Sequence, residues 1–92
     1  MFIERLSFQV SPPDRLEDFI EADAKVWDPW LRQQKGYIRK TYTRLGNGRV
    51  DIRLFWMGEK QMQAAAAKPD MRTVEVRFSA TFVGVYTRLP TV

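Results

Sequence analysis

The sequence predicts an α+β fold: strand, helix, strand, strand, helix and strand, forming one antiparallel sheet with both helices on a single face. Three observations carry this. Two segments place apolar residues at every second position. A Gly46-Asn47-Gly48 sequence supplies the positive-φ residues that a tight hairpin needs. Between these, and again near the end, apolar residues recur at helical spacing. A length of 92 residues allows one domain, 1–92, with one core.

The first strand runs from Phe2 to Val10. Leu6, Phe8 and Val10 share one face, and Arg5, Ser7 and Gln9 share the other. Ser11-Pro12-Pro13-Asp14 then reads as a helix start, with Ser11 as cap and Pro12 at the first helical position. Leu16, Phe19, Ile20 and Trp27 form the apolar stripe of that helix, leaving Glu17, Asp18, Glu21 and Lys25 for water. Asp28-Pro29 reads as a second cap-plus-proline start, opening a short helix with Trp30 and Leu31 that ends at Gly36.

Tyr37 to Leu45 is rich in Thr and aromatics and reads as the second strand. Arg49 to Met57 is the third, with Val50, Ile52, Leu54 and Trp56 on one face and Arg49, Asp51, Arg53 and Phe55 on the other. The alanine run within Lys60 to Lys68 favours helix, and Pro69-Asp70 punctuates it. Met71 to Phe78 fits both periods; helix is preferred because Thr81 to Leu89 makes the better last strand. This order, with right-handed crossovers, is the ferredoxin-like β-α-β-β-α-β arrangement, in which the first and third strands are central.

Composition narrows the function classes. The chain has no Cys and no His, which removes thiol chemistry, Ser/His and Cys/His nucleophile systems and the commonest metal ligand. No metal and no cofactor is expected. No stretch approaches the roughly 20 apolar residues of a membrane span, and the start does not resemble a signal peptide, so a cytoplasmic protein is expected. The formal charge of +4 comes from interspersed residues rather than from a basic run.

With helices over one face, the other face of the sheet is bare in a monomer. Arg5, Ser7, Gln9, Asp51, Arg53 and Phe55 lie there, joined by Thr41 or Tyr42 and by Val85 or Tyr86, depending on register. A second copy covering this face is the expected partner, with Asp51 and Arg53 pairing across strands or subunits.

Several segments carry a family resemblance: Glu4-Arg5-Leu6-Ser7-Phe8, Ala24-Lys25-Val26-Trp27 with Trp30-Leu31, Gly36-Tyr37, and Phe55-Trp56 before the second helix. Through them the chain resembles the dimeric α/β-barrel superfamily, which includes antibiotic-biosynthesis monooxygenase-like and stress-response barrel proteins. It is also similar to a small family of cyanobacterial proteins. The resemblance spans nearly the whole chain and implies two sheets packed face to face. Haem-degrading members ligate iron through a His that this chain lacks. Cofactor-independent oxygenase members hold aromatic polyketides between sheet and helices, which implies a small-molecule cavity here and a monooxygenase-like enzyme as an alternative.

Trp27, Trp30 and Trp56 are the leading candidates for such a cavity, as walls for a small apolar or aromatic ligand. The simpler reading is that large rings fill a small core. Arg53 is a candidate for a carboxylate, and Tyr42 or Tyr86 for a ligand oxygen, although an ion pair and strand packing explain them as well. The acidic stretch Glu17, Asp18, Glu21 and Asp23 is expected to face mostly water, and Asp28 to cap a helix. Single-stranded nucleic-acid binding is a further alternative, but the third strand lacks the glycines and ring spacing of an RNA-recognition sheet, and Asp51 would repel phosphate. A structural or regulatory dimer is the remaining one.

Overall fold

The computed structural model of the chain describes residues 1–90. Its elements are β1 (Phe2–Ser11), α1 (Leu16–Arg32), β2 (Tyr37–Gly46), β3 (Arg49–Trp56), α2 (Glu59–Ala66), α3 (Met71–Thr81) and β4 (Val85–Leu89). The strands stand in the order β2-β3-β1-β4 with every neighbouring pair antiparallel, which is the ferredoxin-like topology. The two strands with the cleanest alternation, β1 and β3, are the central pair.

Register decides which side chains share a face. Leu6 stands opposite Ile52, and Phe8 opposite Val50. Val10, Val50, Ile52 and Trp56 are almost fully buried beneath the helices, with Phe19 from α1 and Val74 from α3 completing the centre of the core. In β2 the residues opposite Ile52 and Leu54 are Tyr42 and Lys40, so both belong to the helix side. Tyr86 pairs with Val10 and joins that side too. The open face therefore receives Thr41 and Val85.

The β2–β3 hairpin closes on Gly46 and Arg49. Asn47 and Gly48 between them have φ of 53° and 80°, as a type I′ turn requires at both central positions. A Cβ on Gly48 would also come within 2.3 Å of the Val10 carbonyl oxygen, so the turn and the neighbouring strand both demand glycine there.

Two sequence expectations fail around α1. Ser11 does not cap a helix; it is the last residue of β1 and pairs with Val85, and a 3-10 turn at Pro13–Arg15 leads into α1. Asp28-Pro29 does not begin a second helix either. α1 runs through Pro29 to Arg32. A proline inside a helix loses the hydrogen bond to residue i−4 and costs about 3 kcal/mol. The continuation is offset by the docking of Trp30 and Leu31, both buried in the last turn.

The ambiguous segment is helical. In α3, Val74 and Phe78 are buried and Val76 is 63% exposed, a separation that a strand, with all three on one face, would not allow. Because that helix continues to Thr81, β4 starts only at Val85, four residues later than the sequence pattern placed it.

Candidate ligand-binding cavity

Between the helices and the covered face of the sheet lies a cavity of about 400 Å³, within the range typical of small-molecule sites. Trp27, Trp30 and Trp56 all line it, and so do Phe8, Phe19, Phe78 and Tyr86. Exposed Glu75, Ser79 and Arg88 are also among its lining residues, and mark where it meets solvent.

The tryptophans are held by specific contacts. Trp27 and Trp30 meet edge to face, with ring centroids 5.9 Å apart at 81°. The Trp30 indole N–H donates to Asp70 Oδ2, at 3.2 Å, just before α3. Trp56 stands edge-on to Tyr37 at 5.5 Å, and its N–H donates to Glu4 Oε1 at 3.2 Å. Phe19 forms the other aromatic group, lying within 5.4 Å of Phe8, Phe78, Phe82 and Tyr86, centroid to centroid.

A buried charge cluster forms part of the cavity wall. The Lys40 side chain is 4% exposed, and its ammonium lies 2.6 Å from Asp23 Oδ2 and 2.5 Å from Asp28 Oδ1. The Asp28 contact is an ion pair by distance, without hydrogen-bond alignment. The Tyr42 hydroxyl donates to the same Asp23 oxygen at 2.5 Å. Asp23 and Lys40 line the cavity; Asp28 and Tyr42 stand behind them. Asp23 thus does not face water, and Asp28 is a counter-ion rather than a cap. The sequence held a signal for Asp23: it lies four residues from both Phe19 and Trp27, on the apolar stripe of α1.

Burial, followed by the negative charge of Asp23 and its hydrogen bond, pushes the Tyr42 phenol well above the ordinary tyrosine range. Tyr37 is pushed up to about 12, by burial first and then by Asp28 and Asp23. Both phenols stay neutral in the folded chain after they would ionise in the unfolded one. Their contribution to stability is therefore complete below roughly pH 10 and is lost as pH rises from there through the folded values. Urea midpoints measured across this window should fall, and should fall less steeply for Tyr42→Phe.

Arg53 lies on the opposite side of the sheet, away from the cavity. There Arg5 and Arg53 stand directly opposite each other on β1 and β3. Asp51 is engaged by Arg5 at 3.5 Å and by the Ser7 hydroxyl at 2.6 Å, rather than by Arg53. Phe55 is only 8% exposed because the Arg39 guanidinium covers its ring, 4.0 Å from the centroid. With that ring covered, no strand aromatic on this face is free to stack on a nucleobase, which argues against a nucleic-acid platform among the described residues.

Solved structures share this architecture. SnoaB, a cofactor-independent oxygenase from Streptomyces nogalater, superposes with a TM-score of 0.67 at 16% identity over 98% of this chain and 91% of its own. A monooxygenase from the gene ActVA-Orf6 of Streptomyces coelicolor, solved in complex with Nanaomycin D, gives 0.71 at 19% identity over 95% of this chain and 81% of its own. A dimeric ferredoxin-like protein from an uncultured marine organism gives 0.72 at 18% identity, with 97% and 91% covered. The fold is that of the antibiotic-biosynthesis monooxygenase-like proteins. At these identities the likeness establishes architecture and not activity. No protein-family model and no curated protein sequence matches the chain. Among the described residues, no helix is long and apolar enough to cross a membrane.

Proposed function

We propose that the chain works as a homodimer whose helix–sheet cavity binds a small hydrophobic or aromatic ligand. The observation that carries this is the cavity itself, about 400 Å³ in a 92-residue domain. A core built only for stability is packed without voids of that size, since each costs free energy. Trp27, Trp30 and Trp56 supply flat apolar walls. The ligand reading draws support from the fold neighbour solved with Nanaomycin D, and the dimer from the dimeric ferredoxin-like neighbour.

The dimer would form through the open sheet face, which leaves Ile3 44% and Val85 66% exposed. Among the described residues, that face also carries Arg5, Arg39, Arg49 and Arg53 against the single carboxylate of Asp51. Stacking two such faces brings like charge together, so self-association should strengthen as salt is raised from low ionic strength to about 0.1 M, where charges separate electrostatically beyond roughly 10 Å. Sedimentation equilibrium across that range tests both points. A monomer at micromolar concentration in every salt sinks the dimer; a dimer that weakens with salt places its interface elsewhere.

A further inference from the structure

We propose that the cavity selects an apolar ligand carrying a protonated amine, with the Glu4 carboxylate as its counter-ion. This rests on the cavity being a ligand site and adds the chemical class of what it holds. Glu4 is an anomaly of pattern: it sits between Phe2 and Leu6 on the helix side of β1, where every other residue is apolar. Glu4 is half-buried, and withdrawing a carboxylate even partly from water on such a face costs stability unless it is paired. Its one protein hydrogen bond comes from the Trp56 indole N–H at 3.2 Å, and it has no salt-bridge partner among the described residues.

The other charges do not supply that partner. Lys40, a cation in the wall, is already held between Asp23 and Asp28, so that cluster is itself net negative. Glu75 and Arg88 line the cavity with opposite charge and offset each other. The cavity is therefore net negative inside a chain whose formal charge is +4. An ammonium is the group that meets these conditions, because it donates to a carboxylate and is attracted to the faces of indole rings. A carboxylate ligand would meet repulsion from Glu4, and a neutral one would leave that half-buried charge without a counter-ion.

Calorimetric titration of the wild-type protein with 1-naphthylmethylamine, 1-naphthalenemethanol and 1-naphthoate separates these cases, since the three share a ring system and differ in charge. The amine is expected to bind about tenfold more tightly than the alcohol, with the acid weakest. Glu4→Gln, which keeps an acceptor for the Trp56 N–H, should remove the preference for the amine over the alcohol. Alcohol binding as tight as amine binding in the wild type overturns the charge selection while leaving the cavity a ligand site. So does an amine preference that survives Glu4→Gln. If none of the three binds, the ligand-site reading falls, and this inference falls with it.

Discussion

Lys40→Met is expected to destabilise the fold by about 3–5 kcal/mol, because it leaves two carboxylates side by side with no cation between them. The methionine fills much of the volume of the lysine stem, so the loss is electrostatic rather than a cavity effect. Asp23 and Asp28 both approach the same ammonium within 2.6 Å, and the Lys40 side chain is 4% exposed, so the pair relies mainly on that cation rather than on water. Set against the 5–15 kcal/mol of a typical domain, such a change removes a large share of the total. Urea denaturation should show a much lower midpoint at constant slope. Adding Asp23→Asn and Asp28→Asn to Lys40→Met should recover most of the loss, since these neighbouring sites are coupled and neutral amides no longer repel. A single variant as stable as the wild type would mean that the cluster is hydrated.

Trp56→Ala is expected to cost a similar amount, about 3–5 kcal/mol. Trp56 is 2% exposed at the end of a central strand, packs on Tyr37 and donates to Glu4. Its removal widens the cavity and strips Glu4 of its only protein donor among the described residues. Trp56→Phe keeps an apolar ring without the N–H, and should hold the fold at a loss nearer 1 kcal/mol. The pair of variants separates packing from recognition. Both roles act if the phenylalanine variant folds near normally and binds apolar ligands differently. If it binds as the wild type does, the indole N–H plays no part in the site.

Much of the architecture was legible because it follows from short-range rules. Period-two alternation in β1 and β3 set their faces, and Asn47-Gly48 set the hairpin that fixes β2 beside β3. Where local signals competed with packing, packing prevailed. Asp28-Pro29 looks like a helix start, yet the burial of Trp30 and Leu31 carries α1 through it. Ser11 looks like a cap, yet β4 arrives from the far end of the chain and extends β1 by pairing Ser11 with Val85.

The site divides in the same way. The three tryptophans were visible as rings at core spacing. Tyr42 lies one layer behind the cavity and Arg53 on the opposite face, because strand parity fixes a side and the sequence had left β2's register open. Glu4 and Lys40 were missed as cavity residues for the opposite reason. Each is a charged residue at a position whose parity belongs to the covered face, which pattern reading treats as noise. The buried Asp23 was hidden among acidic neighbours that do face water, and only its phase on α1 sets it apart.

The most direct test of the central claim is native mass spectrometry of the protein purified from its own host. The account predicts a species of twice the chain mass carrying additional small-molecule mass, with the ligand released on denaturation. Protein found only at the mass of a single bare polypeptide would contradict it.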